Sequence, residues 1–242
     1  MKFNTDIPAK IILIGGGGSG GYELPHLYRI AYASGRKMRI ISVDGDVVDG
    51  DNLIRQNFVT YDIGNNKVEV LAKRYAEVFG IETEYVPNFI ENAEELKRLV
   101  EPDVRRGANQ LVILIGAVDN NRSRQICHEV FTQAHNLIYI DSGNGEYTGQ
   151  VVCGVRKNGK TLWKPVAGWY PDILKAEDKL PTEMSCAEKS VHAPQSIAAN
   201  LFASTIVTSM LYHILICGEL QTRKATFSAK SLNVKAVGTK RG

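Results

Sequence analysis

The chain has 242 residues, of which 44% are hydrophobic and 23% charged, proportions ordinary for one large α/β domain. Its formal net charge of +3 is too mild to indicate nucleic acid or a membrane surface as partner. Four widely spaced cysteines, with no C-x-x-C pair, argue against a disulfide framework or a structural zinc site.

The segment Met1–Lys10 has no charged-then-apolar signal pattern, so a cytoplasmic location is expected. Lys10–Ile14 is a short β-branched run that predicts a buried first strand. The block Gly15-Gly16-Gly17-Gly18-Ser19-Gly20-Gly21 follows it and leads into a helix reaching about Ala33. Met38–Val43 predicts the second strand, which ends at Asp44. Asn65 or Asn66 can cap a helix whose apolar positions Val68, Leu71, Ala72, Tyr75, Val78 and Phe79 follow helical spacing. A third strand fits Glu84–Val86, and a helix Ala93–Val100. The continuous apolar run Leu111–Val118 predicts a central parallel strand. Arg122–Ala134 reads as a helix and Leu137–Ile140 as a fifth strand.

Strand and helix alternate throughout this half, which predicts a Rossmann-like, doubly wound, mostly parallel sheet. Beyond Gly143 the pattern changes to an antiparallel extension. Gln150–Val155 and Thr161–Trp163 read as a hairpin around Asn158-Gly159. The proline-punctuated stretch Pro165–Pro194 reads as a long loop. Trp163, Trp169 and Tyr170 cluster with Pro165 and Pro171 at its start; they can form a partner surface or pack the loop down, and both readings stand. Ile197–Cys217 is apolar and long enough to cross a bilayer, but it contains Asn200, Ser204, Thr205, Thr208, Ser209 and His213. A helix buried on the sheet or across a dimer interface is the expectation. Lys224, Lys230, Lys235, Lys240 and Arg241 give the end of the chain a basic character, read as a solvated tail or a surface for an acidic partner. The organisation expected is a single domain over residues 1–242. Its nucleotide-binding half is 1–145; residues 146–242 add the hairpin, crossover loop, buried helix and tail.

The glycine block contains G-x-G-x-x-G as Gly15, Gly17 and Gly20, between a strand and a helix. Glycines there let phosphates approach a helix N-terminus, whose N–H groups and dipole favour anions. Asp44 lies where an acid accepts hydrogen bonds from ribose hydroxyls; Asp46 and Asp49 read as exposed loop residues. The cluster Asn52-Leu53-Ile54-Arg55-Gln56, with Lys67, separates ATP from NAD. A dinucleotide needs little beyond the glycine loop and the acid, whereas a triphosphate needs cations aimed at it. Lys67 falls in the first turn of its helix, where the dipole disfavours a cation, so a phosphate is a reason for it to be there; an exposed, salt-bridging lysine is its alternative reading. Asp119-Asn120 ends the central strand at the carboxyl edge. An aspartate beside phosphates calls for a metal between them, which makes Asp119 a candidate Mg²⁺ ligand; a helix N-cap is its alternative role.

In this arrangement the chain resembles the ThiF/MoeB/ubiquitin-activating superfamily of adenylating enzymes. The matching pieces are Gly15-x-Gly17-Gly18-x-Gly20, Asp44-x-Asp46-x-Val48, Asn52-Leu53-x-Arg55-Gln56, Lys67, Asp119-Asn120-x-x-x-Arg124, and Ser142-Gly143 leading to Gly149-Gln150-Val151. Length and missing modules are similar to short ThiF-like proteins of the plasmid-borne PRTRC system. The resemblance implies ATP and Mg²⁺ as cofactors, with Asp44 on ribose, Arg55 and Lys67 on phosphates, Gln56 beside them, and Asp119 on the metal. It implies adenylation of the C-terminal carboxylate of a small ubiquitin-like, β-grasp partner, by a homodimer. It also places Cys186 where some relatives form a thioester or disulfide with their partner; Lys189 nearby favours the thiolate modestly, and His192 is a weak candidate base. Cys127, Cys153 and Cys217 read as core residues. Two departures stand out: no arginine is placed to reach a neighbouring subunit's site, and the paired C-x-x-C motifs are missing. An NAD-dependent oxidoreductase and a non-catalytic nucleotide-binding module remain as alternatives.

Overall fold

The computed structural model describes residues 1–103, 109–183 and 195–238. Its strands are β1 (Ala9–Ile14), β2 (Met38–Val43), β3 (Glu84–Val86), β4 (Leu111–Gly116), β5 (Leu137–Asn144), β6 (Thr148–Lys157), β7 (Lys160–Trp163), β8 (Thr222–Ser228) and β9 (Asn233–Gly238). The helices are α1 (Gly18–Ser34), α2 (Lys67–Phe79), α3 (Ala93–Val100), α4 (Asn121–Gln133), α5 (Val166–Trp169) and α6 (Ile197–Leu215).

All these strands join one sheet in the order β3-β2-β1-β4-β5-β6-β8-β9, with β7 paired to β6. From β3 to β5 the pairs are parallel; β6, β7, β8 and β9 are antiparallel to their neighbours. Period-two alternation explains why the parallel strands look apolar throughout. Ile11 and Leu13 of β1, with Ile113 and Ile115 of β4, point into one core, where Leu24, Leu27, Leu71 and Met210 meet them. Ile12 and Ile14, with Val112 and Leu114, point into the other core, against Leu96, Ile126 and Val130. Helices therefore cover both faces, as a parallel sheet requires.

Chain reversal falls between β1 and β4, whose outward connections run to opposite faces. The carboxyl ends of these strands, at Gly15 and Ala117, mark the switch point where open α/β sheets bind ligands.

The antiparallel part corrects two expectations. The basic end of the chain is not a solvated tail over its described length. Lys224 lies in β8 and Lys235 in β9, while Lys240 and Arg241 lie outside the described residues. Only Ala225 and Phe227 of this hairpin are buried, and β9 is exposed throughout, so its residues carry no alternation from which a strand is legible. Similarly, the stretch from Pro165 is not wholly irregular. It forms α5 and short 3-10 turns at Pro171–Lys175 and Pro181–Glu183. Gln125 Nε2 of α4 ties it down by donating to the carbonyls of Ile173 (2.9 Å) and Ala176 (2.8 Å). The aromatic cluster packs: Trp163 is buried, and Lys224 Nζ lies 5.0 Å from the Trp169 ring centre and 4.5 Å from that of Tyr170.

The helix α6 is long and apolar enough to cross a membrane by length and composition. Here its face Ala203, Val207, Met210, Leu211 and Ile214 packs into the core beside α1. Cys127 and Cys153 are buried as expected, and burial pushes both thiols up to about 12. Cys217 is exposed, contrary to expectation, because α6 ends at Leu215 and the chain turns outward there.

Candidate functional site

A cleft of about 480 Å³ opens at the switch point, a volume suited to a nucleotide. Its floor is the glycine loop. Gly15 has φ +96°, and a Cβ there would stand 2.3 Å from the Ala117 carbonyl oxygen, so only glycine lets β1 turn this close to β4. The helix α1 that follows has Gly17 at its N-cap and no side chain capping it. By contrast Asn66, Asn92, Asn120 and Ser196 cap α2, α3, α4 and α6. An uncapped, 17-residue helix pointing its N–H groups at a cleft is suited to an anion. Gly20 does not line the cleft. A Cβ on it would lie 1.9 Å from the Gly15 carbonyl oxygen, so it serves close packing of helix on loop.

The wall beyond β2 follows from the way α2 begins. Asn66 accepts from Glu69 N–H through Oδ1, while its Nδ2 donates to the carbonyls of Asp44 (2.9 Å) and Asp46 (3.1 Å). This double use of one cap residue bolts α2 to the end of β2 and holds Lys67 in the cleft, 6% exposed. Lys67 Nζ donates to Asp46 Oδ2 at 3.1 Å. Asp46 is therefore not merely a loop residue: it pairs with Lys67 at the cleft. Asp49 is also engaged, capping the turn Gly50–Asn52. Asp44 is 8% exposed and accepts from the backbone N–H groups of Gly16 (2.6 Å) and Asp46 (2.9 Å). Burial pushes its carboxyl up to about 6, against the pull of Lys67 and these donors.

Asn52, Arg55 and Gln56 arrive from the turn after β2, and all three line the cleft. Asn52 contributes mainly to the turn, since its Oδ1 accepts from Asp49 N–H at 3.3 Å. Gln56 is buried against Gly17, and its Oε1 has no hydrogen-bond partner. Across the cleft the Ser142 hydroxyl is likewise buried and unpartnered. Buried polar atoms left unpaired cost about 1–3 kcal/mol each, so two in one cleft indicate a site shaped for polar ligand groups.

At the carboxyl end of β4, Asp119 and Asn120 line the cleft. The capping role belongs to Asn120, whose Oδ1 accepts from Ser123 N–H at 2.7 Å, and not to Asp119. Beneath them Arg124 donates to the Val118 carbonyl and to Asp141 (3.4 Å), and the Tyr139 hydroxyl donates to Asp141 at 2.7 Å. That buried network fixes the ends of β4 and β5. Asp178 accepts from Asn121 N–H at 2.7 Å and holds the crossover segment at the rim, where Pro181 joins the lining.

The structure thus brings together Gly15, Gly17, Gly18, Asp44, Asn52, Arg55, Gln56, Lys67, Asp119 and Asn120. Cys186, Lys189 and His192 lie outside the described residues. Sequence reasoning missed Asn88, Phe89 and Ile90, which line the cleft after β3. Their position at a strand's carboxyl end was a usable signal. It also missed Asn144 and Gln195 in the cleft lining, for which no local spacing gives a signal.

A family model described as ThiF matches residues 8–241. The chain belongs to the ThiF family. Among solved structures, Escherichia coli MccB with succinimide superposes on this ThiF-family chain with a TM-score of 0.66 at 18% identity. That match covers 95% of this chain and 63% of MccB. PaaA gives 0.64 at 18% identity, covering 95% and 64%. MccB from E. coli solved with ATP gives 0.64 at 19% identity, covering 95% and 63%. These likenesses establish the fold, and the chain spans less than two thirds of the length of each of these neighbours. A comparison with curated proteins finds no match.

Proposed function

We propose that this ThiF-family protein binds Mg·ATP in the cleft and transfers AMP to the C-terminal carboxylate of a small ubiquitin-like, β-grasp protein. One observation carries the reading. The uncapped start of α1 shares a single cleft with two cations, Arg55 and buried Lys67, and with carboxylates at each end, Asp44 and Asp119. A dinucleotide has no use for the second half of that set, whereas a triphosphate uses all of it. ATP among the ligands of solved MccB structures supports the same assignment.

Asp44 would accept from the ribose hydroxyls, and the apolar wall of Phe89, Ile90 and Ile126 would take the base. The α1 N-terminus, Arg55 and Lys67 would hold the phosphates, with Lys67 exchanging Asp46 for a phosphate oxygen. Among the described residues no group of three or more His, Cys, Asp or Glu could hold a metal alone. Asp119 together with phosphate oxygens suits Mg²⁺, which commonly binds one or two carboxylates plus substrate phosphates. When bound, the ion neutralises charge on the phosphates and the departing pyrophosphate. The partner's carboxylate oxygen attacks the α-phosphorus, the bond to the β-phosphate oxygen breaks, and pyrophosphate leaves. A carboxylate is already ionised at neutral pH, so no general base is required; positioning and charge neutralisation supply the rate. A thioester at Cys186, with AMP leaving as the thiolate attacks the acyl carbon, is the sequel we propose. A cytoplasmic homodimer of the PRTRC type completes the reading.

Calorimetric titration with Mg·ATP and, separately, NAD tests it. Mg·ATP should bind the wild type, and Lys67→Ala should weaken it about tenfold or more. Binding of NAD without any response to Mg·ATP would replace this reading with an oxidoreductase.

A further inference from the structure

The residue that links the phosphate end of the cleft comes from the far side of the chain. Asn200 lies one turn into α6 and is completely buried. Its helix starts in a fixed place: Ser196 caps α6, and its N–H and hydroxyl both reach the Glu146 carbonyl in the β5–β6 turn. From there the Asn200 carboxamide reaches three elements. Nδ2 donates to the Arg55 backbone carbonyl at 2.9 Å. Oδ1 accepts from Asn144 Nδ2, at the end of β5, at 2.9 Å. The same group presses on the glycine loop, since a Cβ on Gly18 would stand 2.6 Å from Oδ1 and 2.7 Å from Nδ2. The orientation of the amide is settled by Arg55, because a carbonyl oxygen can only accept.

We infer that Asn200 is a positioning residue for the phosphate subsite, setting the place of Arg55 relative to the α1 N-terminus. This inference rests on the proposed binding of Mg·ATP. Arg55 comes from an irregular turn and is only half-buried, so its guanidinium has no rigid element of its own. A cation aids phosphate binding in proportion to how well it is held before the ligand arrives. Asn200 supplies that hold by fixing the Arg55 main chain to α6 and, through Asn144, to β5. Gln195, in the segment just before α6, adds the other tether: its Oε1 accepts from Arg55 Nη1 at 3.4 Å. The glycine at position 18 then has a second reason beyond phosphate approach, which is to make room for the carboxamide.

The test uses calorimetric titration of the full chain with Mg·ATP and with adenosine, which lacks the phosphates Arg55 serves. Thermal unfolding of each variant checks that it is folded. Asn200→Ala should weaken Mg·ATP about tenfold while adenosine affinity stays within about twofold of wild type. Combined with Arg55→Ala, it should add less than about twofold to the loss from Arg55→Ala alone, because both act through one guanidinium. Should Asn200→Ala not fold, Asn200→Asp preserves the volume and the bond from Asn144 but faces the Arg55 carbonyl with an acceptor; it should show the same selective loss. Equal losses for ATP and adenosine, or additive losses with Arg55→Ala, overturn the inference, as does an Asn200→Asp that binds ATP like wild type. A wild type that does not bind Mg·ATP overturns the proposed function and this inference with it. Binding by wild type with no selective effect at Asn200 overturns this inference alone.

Discussion

Asp44 shows how a single residue's environment sets both its partner and its pH range. Its oxygens already accept from Gly16 and Asp46, yet burial pushes its carboxyl up to about 6. The two consequences have opposite signs. In the free protein the folded-state value lies above the ordinary 3.8, so the stability it contributes is present below that value and lost as pH rises through about 6. Under the proposed function, ligand binding runs the other way, because the ionised carboxylate accepts more strongly from ribose hydroxyls than the neutral acid does. Adenosine affinity is therefore expected to fall, by up to about tenfold per pH unit, as pH drops below that pKa, and Asp44→Asn should flatten the profile. Titrations at pH 7, 6 and 5 check it; a flat wild-type profile would remove Asp44 from the ribose. Lys67, by contrast, is legible from its place in the chain. A cation in a helix's first turn is locally unfavourable, and such a local misfit often marks a functional group.

Between elements, the contact of α1 with α6 contains a buried acid that the chemistry does not use. Glu23 of α1 is 1% exposed; Ser204 and Thr208 of α6 donate to its Oε2, at 3.3 and 3.2 Å, while Oε1 has no partner. Burial pushes its carboxyl up to about 8, and the two hydroxyls offset this only in part. In the unfolded chain the group ionises near 4.5, so the native state alone holds the proton between that value and about 8. Stability contributed by Glu23 is thus complete below 4.5 and lost as pH rises to about 8, at up to about 1.4 kcal/mol per pH unit. Glu23→Gln keeps an acceptor for both hydroxyls and cannot ionise. It should unfold at a higher temperature than wild type at pH 8, with the gap shrinking towards pH 5. Equal pH slopes for the two proteins would show that Glu23 is not held neutral. Nothing in the sequence around Glu23 announces this arrangement, because its hydroxyl partners lie 181 and 185 residues away.

For the molecule as a whole, the outer face of α6 calls for cover. Ile197–Leu215 contains no Asp, Glu, Lys or Arg, and only 44% of its most apolar window is buried. Ile197, Leu201 and Tyr212 are exposed at helical spacing along that outer face. Exposed apolar side chains along one helix face, here beside the exposed polar Thr205 and Ser209, are favoured in water when a partner covers them. A second copy supplies this in the proposed homodimer. Sedimentation of the wild type should then give twice the chain mass, and Leu201→Glu should shift it to one chain while leaving the fold intact. A wild type that sediments as a single chain at micromolar concentration sinks the proposal.

Sequence alone determined the parallel half of the molecule and most of the cleft. Each of those signals is local: β-branched runs bounded by Gly15 and Asp44, an asparagine before α2, and glycines where the first strand, the loop and α1 approach closely. The parallel strands and α1 to α4 accordingly lie within a few residues of their expected limits. Tertiary structure alone decided the rest. The β8–β9 hairpin has too little buried surface to impose an alternation on its residues, and it is held instead by pairing with β6. Asp46 and Asp49 acquire roles only once α2 and the turn Gly50–Asn52 close on them. Asn200 reaches Arg55 across 145 positions, a contact made by packing α6 against α1 and the sheet, which no spacing along the chain encodes.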